Sequence, residues 1–307
     1  MANLKELAKK VPERLTGGHR LCAGCGASII VRQVLLACDY PVVCANATGC
    51  LEVSTTIYPY SAWRNSWVHC AFENAAATCS GVEAAYKALK KKGKIKEDFR
   101  FIAFGGDGGT YDIGIQSLSG AMERGHRMLY VCYDNEAYMN TGVQRSGSTP
   151  RGANTTTSPA GKQSYGKKEY PKDLTGILVA HRIPYVAQTT AANWADLNRK
   201  VAHAMEVDGP SFINIIQPCQ LGWKYPMELT VEMSRLATMS CFWPLYEVID
   251  GKWKLNYDPR DKKIPVVEWM KWQGRFKHLL GNQPILDEIQ AEVDKRWEEL
   301  KKKCEAV

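Results

Sequence analysis

The stretch Gly105-Gly106-Asp107-Gly108-Gly109 stands between a strand-like apolar run and an amphipathic segment, and Asn135 follows Asp107 after 28 residues. Ahead of the glycines, Phe101-Ile102-Ala103-Phe104 reads as a buried strand. Beyond the amphipathic segment, Met128-Leu129-Tyr130-Val131-Cys132-Tyr133 reads as the next one. Strand, helix and strand in that order put Asp107 and Asn135 at the ends of successive parallel strands, on the edge where α/β proteins bind ligands. A carboxylate and an amide oxygen placed there suit Mg²⁺, a hard cation that shares its oxygen ligands with phosphates. The glycines admit a diphosphate close to the backbone. The helix predicted over about Asp112 to Arg124, with Gly125 as its stop, turns its N-terminus toward the same place. A glycine-rich turn alone would explain the glycines, but not Asp134-Asn135 at a second strand end.

Cysteine is the second constellation. The chain holds eleven of them in 307 residues, behind a charged N-terminus, Met1 to Lys10, that has no apolar leader. A cytoplasmic chain keeps its thiols reduced, so the expectation is metal binding rather than a disulfide framework. Four cysteines stand out. Cys22 and Cys25 form Cys-Ala-Gly-Cys-Gly, Cys50 follows Thr48-Gly49, and Cys219 follows Pro218 after the strand-like run Phe212-Ile213-Asn214-Ile215-Ile216. A [4Fe–4S] cluster takes thiolates from separated loops with small neighbours, and Gly24, Gly26 and Gly49 supply these. Zinc could use the same ligands, although the lack of a second CxxC argues against a zinc ribbon. Cys38, Cys44, Cys70, Cys79, Cys132, Cys241 and Cys304 read as small apolar filler, with Cys44 the main rival for a ligand position.

Asp107-Gly108 with its distant asparagine resembles the signature of thiamine diphosphate enzymes. The continuation Asp134-Asn135-Glu136-Ala137-Tyr138-Met139-Asn140-Thr141-Gly142-Val143-Gln144 is similar to the β subunits of 2-oxoacid:ferredoxin oxidoreductases, most of all the pyruvate branch. The resemblance runs from Gly18-His19-Arg20 to the Trp-rich tail, with Val143 where the family usually has glycine. It implies that Asp107, Asn135 and the Ala137 carbonyl ligate Mg²⁺, and that Asn140 reaches toward the thiazolium and the substrate. Gly49, Cys50, Gly106, Asp107, Gly108, Gly109, Asn135, Ala137, Asn140 and Thr141 would bind the cofactor. Cys22, Cys25, Cys50 and Cys219 would hold the [4Fe–4S] cluster nearest the thiamine. The implied activity is oxidative decarboxylation of a 2-oxoacid, pyruvate with coenzyme A first, oxalate or a branched-chain oxoacid as the alternative. Electrons would leave singly toward ferredoxin. The glutamate that activates the aminopyrimidine would come from another subunit, so the chain would be inactive alone. A reading of another class, a zinc-binding interaction subunit, makes the Gly-Asp-Gly incidental.

Strand and helix alternate along the chain, which predicts a doubly wound, mostly parallel sheet; the resemblance makes it the thiamine-diphosphate-binding fold. Helices are expected over Ser28 to Cys38, Glu73 to Lys92, Asp173 to His181 and Asn193 to Val207. Further strands are expected over Pro41 to Ala45 and Pro184 to Gln188, and at Phe212 to Ile216 as the last of the sheet. Arg145 to Glu169 is polar and rich in Gly, Ser, Thr and Pro, and is expected as an ordered loop by the site. Residues 1–220 thus form the cofactor-binding α/β domain. Residues 221–307, with Trp223, Trp243, Trp253, Trp269, Trp272 and Trp297, form an irregular extension at a subunit interface, closing on a helix from about Pro284 to Lys303.

The net charge of +8 comes partly from Lys90-Lys91-Lys92, Lys167-Lys168 and Lys301-Lys302-Lys303, each read as a solvated helix end or loop. Nucleic-acid binding is not expected, and no apolar run is long enough to span a bilayer. No GxGxxG offers a nicotinamide site. His69 reads as a hydrogen-bonded structural histidine rather than a proton shuttle, and Glu52 as a helix cap.

Overall fold

In the computed structural model, residues 4–7, 9 and 13–306 are described. Eight strands form one sheet in the order β2-β1-β3-β4-β6-β5-β7-β8. They are β1 (Val42–Ala47), β2 (Ser66–Cys70), β3 (Arg100–Gly106), β4 (Leu129–Asp134), β5 (Tyr185–Thr190), β6 (Ser211–Ile216), β7 (Tyr246–Ile249) and β8 (Lys252–Leu255). The first six pair in parallel; β7 and β8 add an antiparallel flank. Helices cover both faces, so β3 to β6 are buried along nearly their whole length and are rich in Ile, Val and Phe. Alternate residues of these strands feed two cores. One holds Phe101, Ala103 and Tyr130; the other holds Ile102, Phe104 and Val131.

The expected helices are present as Gly26–Leu36, Ala75–Lys91, Leu174–Ala180 and Trp194–Glu206. Asp173 and Asn193 cap the last two by accepting from the N–H of Gly176 and Asp196. Three expectations change. The helix after the glycine run begins earlier, as a π-turn over Gly108–Asp112, and becomes α-helical at Ile115–Glu123. Gly114 permits the wide turn, since a Cβ there would sit 2.0 Å from the Gly109 carbonyl oxygen. Phe212 to Ile216 is not the last strand: the C-terminal residues supply β7 and β8. Their tryptophans mostly pack inward, with Trp223, Trp243, Trp269 and Trp297 buried in the chain's own core and Trp272 exposed. Lys167 is not solvated; it is buried, and its Nζ donates to the Thr149 carbonyl at 2.6 Å.

No helix among the described residues is long and apolar enough to cross a membrane.

Candidate active site

Four strands that are neighbours in the sheet, β1, β3, β4 and β6, end on one edge. After β1 come Thr48, Gly49 and Cys50; after β3, Asp107, Gly108 and Gly109; after β4, Asn135 and Ala137; after β6, Gln217 and Cys219. The parallel pairing sets these ends about 4.8 Å apart. A cleft of about 650 Å³ opens there, and its lining includes all ten residues expected to bind the cofactor. Thr48, Phe72, Tyr133, Tyr138 and Met139 complete the wall. Gly108 is obligatory in this arrangement, since a Cβ would lie 2.5 Å from the Tyr138 ring.

Asp107 is 1% exposed. Its Oδ2 accepts from Ser146 Oγ at 2.5 Å and its Oδ1 from the Asn135 N–H at 3.2 Å. Burial, then the neighbouring Asp134 carboxylate, raises the Asp107 carboxyl well above the usual range, against the Ser146 hydrogen bond. The Asn135 Nδ2 donates to Gln217 Oε1 at 2.9 Å. The Gln217 amide nitrogen is already committed to the Pro218 carbonyl at 3.1 Å and faces Cys25 Sγ at 3.8 Å. The Asn135 oxygen therefore points the other way, 3.0 Å from Asp107 Oδ1 and 2.7 Å from the Ala137 carbonyl oxygen. With the amide in this orientation three oxygen acceptors converge, a donor set that fits a hard cation; turned over, the same amide would donate to Asp107 Oδ1 and the Ala137 carbonyl instead. Tyr133 Oη, buried and without a partner, lines the same cleft.

The loop carrying Asn135 is held from outside the parallel sheet. Trp223 Nε1 donates to the Asn135 carbonyl at 2.8 Å. Glu136, at φ 65°, pairs with Arg275, whose guanidinium lies 4.0 Å above the Trp223 ring. The polar loop after residue 145 is ordered as expected, with Ser148 donating to Asp134 at 2.6 Å and Thr149 to the Glu136 carbonyl at 2.6 Å.

Six of the seven cysteines expected as core filler are buried; Cys304 is not, lying half-buried on the last helix. Cys38, Cys44, Cys70, Cys79, Cys132 and Cys241 are buried, whereas Cys22, Cys25, Cys50, Cys219 and Cys304 are not. The segment bearing Cys22 and Cys25 docks on the end of β6: Gly26 N–H donates to Pro218 O at 3.3 Å and Gln220 Nε2 to Ala23 O at 2.9 Å. Burial, with smaller contributions from the charges of Cys219 and Cys22, pushes the Cys25 thiol up to about 11 and the Cys50 thiol up to about 12. Backbone N–H groups of Ala27 and Ser28 face the Cys25 sulfur, and those of Gly222 and Leu221 face Cys219. The four thiols lie in one another's field and two of them are fed by backbone donors, but among the described residues no group of three or more His, Cys, Asp or Glu side chains is arranged to hold a metal ion. Cys44 instead lies inside β1 and accepts from Asn65 Nδ2 at 3.2 Å. Cys50 belongs to both groups: it lines the cleft, and its Sγ is 3.7 Å from Asn140 Oδ1.

Two minor expectations separate. His69 does have structural partners, Thr48 Oγ1 at 3.1 Å and Glu52 Oε1 at 3.5 Å. Glu52 is not a cap; it lies inside the helix Cys50–Thr55, whose N-cap, Gly49, has no side-chain bond.

Residues 47–215 match the family described as thiamine pyrophosphate enzyme, C-terminal TPP binding domain. The chain is 53% identical to pyruvate synthase subunit PorB of Thermotoga maritima, over 97% of this chain and 95% of that protein. It is 52% identical to PorB of Methanocaldococcus jannaschii, over 92% and 95%. It is 43% identical to the ketoisovalerate oxidoreductase subunit VorB of Pyrococcus abyssi, over 98% and 96%. The chain belongs to the β-subunit family of 2-oxoacid:ferredoxin oxidoreductases. A solved 2-oxoglutarate:ferredoxin oxidoreductase from Magnetococcus marinus shares the fold, with a TM-score of 0.57 and 22% identity over 74% of this chain and 81% of that one. As a member of this family, the chain is an oxidoreductase subunit with a thiamine-diphosphate-binding domain. The matched domain contains the whole diphosphate-side set from Gly49 to Thr141, but only Cys50 of the four thiols. Cys22, Cys25 and Cys219 flank it. Sequence reasoning missed Gln217, Ser146, Tyr133, Trp223 and Arg275; only the clustering of tryptophans hinted at the last two.

Proposed function

We propose that this chain is the subunit of a pyruvate:ferredoxin oxidoreductase that binds thiamine diphosphate and a [4Fe–4S] cluster. The observation that carries the reading is the double membership of Cys50, a wall of the cofactor cleft and a member of the thiol group. An electron donor and an electron acceptor bound at these two places would be neighbours. When bound, thiamine diphosphate supplies an ylid that attacks the 2-carbonyl and takes up electrons on decarboxylation, and the cluster passes them on one at a time.

The chain's own residues would do the rest. Asp107, Asn135 and the Ala137 carbonyl hold Mg²⁺ against the diphosphate, and Ser146 fixes the Asp107 carboxylate by its 2.5 Å hydrogen bond. Gly106, Gly108 and Gly109 leave room for the diphosphate oxygens. Asn140 stands at the junction of the two sites, where its amide can orient substrate. Phe72, Tyr138 and Met139 exclude water from the cleft. Cys22, Cys25, Cys50 and Cys219 ligate the cluster.

Among the described residues, Asp107 is the one carboxylate that lines the cleft. The glutamate required by the aminopyrimidine would therefore come from a partner subunit, and activity would need the assembled complex with ferredoxin as acceptor. Pyruvate is favoured over a branched-chain oxoacid by the 53% identity to a pyruvate synthase subunit against 43% to a ketoisovalerate oxidoreductase subunit.

The test is reduction of ferredoxin by the reconstituted complex with pyruvate, 2-oxoisovalerate and oxalate in turn, with and without coenzyme A. Fast, coenzyme A-dependent turnover of pyruvate is expected. Preference for another acid moves the chain within its family. A colourless, zinc-loaded protein after anaerobic purification would instead favour a zinc-binding interaction subunit.

A further inference from the structure

Gln217 follows β6 directly, is 2% exposed, and lies between the two groups of candidate ligands. Its backbone is fixed, because its N–H donates to the Asp134 carbonyl at 2.6 Å and so extends the β4–β6 ladder by one bond. Its side chain cannot swivel without loss. Oε1 accepts from Asn135 Nδ2 at 2.9 Å, while Nε2 donates to Pro218 O at 3.1 Å and faces Cys25 Sγ at 3.8 Å. Turning the amide over would set its nitrogen against the Asn135 amino group and its oxygen against a carbonyl and a sulfur. Gln217 thus favours the Asn135 orientation whose oxygen faces Asp107 and Ala137; the opposite one would donate to Asp107 Oδ1 at 3.0 Å and Ala137 O at 2.7 Å, but would set the Asn135 oxygen 2.9 Å from Gln217 Oε1.

We propose that Gln217 is a positioning residue for both cofactors: it turns the Asn135 oxygen toward the metal and supplies an N–H to the Cys25 sulfur. The inference deepens the reading above and rests on its metal and cluster ligands. Residues behind a ligand orient it and are felt in affinity. Hydrogen bonds to cluster sulfur raise the reduction potential.

The two ends of the amide make the roles separable. Gln217→Met removes both. Gln217→Glu keeps an oxygen for the Asn135 amino group, removes the N–H to sulfur and adds a negative charge. The experiment uses the assembled complex depleted of thiamine diphosphate and metal. Mn²⁺ is titrated in the presence of thiamine diphosphate, with free Mn²⁺ read by its electron paramagnetic resonance signal, and the cluster midpoint potential is measured on the same samples.

Gln217→Met is expected to lose about 10- to 100-fold in Mn²⁺ affinity and to shift the midpoint to a more negative value. Gln217→Glu is expected to bind Mn²⁺ no more weakly than the parent while its midpoint also moves negative. Asp107→Ala, run alongside, should lose Mn²⁺ with the cluster spectrum intact. Parent-like Mn²⁺ affinity in Gln217→Met, or an unmoved midpoint in Gln217→Glu, overturns the role of Gln217. Parent-like affinity in Asp107→Ala overturns the metal assignment, and with it the basis of the proposal. Should Gln217→Met fail to fold, the equally neutral Gln217→Leu carries the test: it removes the N–H without adding charge, so a midpoint that stays at the parent value overturns the role.

Discussion

Asp107 at the cleft and Glu247 on β7 expose almost no surface, 1% and 0%, but Asp107 lies deeper in the protein and loses more solvation, and their surroundings act on them in opposite directions. Glu247 is ringed by donors: Arg199 at 2.9 Å, Tyr185 Oη at 3.0 Å, Asn256 at 2.9 Å and Lys254 at 3.3 Å. Burial pushes its carboxyl up, but the Arg199 hydrogen bond and then the Asn256 hydrogen bond outweigh it and hold the group at about 2. Asp107 has only neutral donors, and the Asp134 carboxylate beside it, so its carboxyl is driven up. Arg275, a buried cation of the same region, is taken by Glu136. A carboxylate whose compensation is complete stabilises the fold. One left under-compensated at a strand end costs the apoprotein stability and suits a ligand that brings the missing positive charge.

The largest effect that can break this contrast is at Asp107 itself. Asp107→Asn removes the uncompensated charge but keeps the shape. Metal and thiamine diphosphate binding should fall by more than about 100-fold, since changes behind a ligand already reach that size. The same substitution should stabilise the apoprotein, by about 1 kcal/mol or a few degrees in Tm. Calorimetry on apo and loaded samples reads both. Loss of apo stability would mean that Asp107 is as well compensated as Glu247.

Next in size is the thiol group. Cys219→Ser should bleach the visible chromophore or convert the cluster to a three-iron form, while Cys44→Ser leaves the spectrum unchanged. The reverse pattern would move the fourth ligand into β1 and disconnect the cluster from the end of β6.

What could be read from the chain follows the range of the contacts. Asp107, Asn135 and their glycines sit in one strand–helix–strand unit, so local periodicity and turn chemistry reveal them. Cys22, Cys25 and Cys50 lie within one N-terminal stretch and carry a spacing signal. Gln217, Trp223 and Arg275 reach the same loop from 82, 88 and 139 residues away, and nothing local marks them. The strands β7 and β8 escape sequence reading because they are four residues each; Lys252-Trp253-Lys254-Leu255 alternates, but over too few residues to outweigh its lysines. The buried Lys167 was misread because a Lys-Lys pair in a polar loop carries no sign of the Thr149 carbonyl waiting for it.

The third prediction concerns the buried cation that pairs with Glu136 behind the cleft. Arg275→Met leaves the Glu136 carboxylate buried and unpaired beside Asn135, and should destabilise the fold by about 3–5 kcal/mol in urea unfolding. Adding Glu136→Gln should recover most of that, because the pair is then replaced rather than broken. A single variant no worse than the double would show that Lys167 or water compensates Glu136, and that the cleft is richer in positive charge than the contrast with Glu247 requires.

The smallest effect is the acid behaviour of the well-compensated site. In the unfolded chain Glu247 takes up a proton near its ordinary value of 4.5, whereas in the fold it resists until about 2. Between those values the unfolded state holds the extra proton, so stability falls as the pH falls. The contribution is complete above about 4.5 and is lost progressively toward 2. Glu247→Gln should therefore flatten the pH dependence of stability in this window, read from urea midpoints at pH 4.5 and pH 3, while Arg199 keeps its 2.8 Å contact to Asp196. Asp107, with its carboxyl raised, works with the opposite sign: the folded apoprotein gains from its protonation as the pH falls. An Asp107→Asn background should thus make the acid limb steeper, and a Glu247→Gln background shallower. Equal slopes in the two would mean that the two carboxylates are compensated alike, and the distinction between a structural and a ligand-seeking acid would fail.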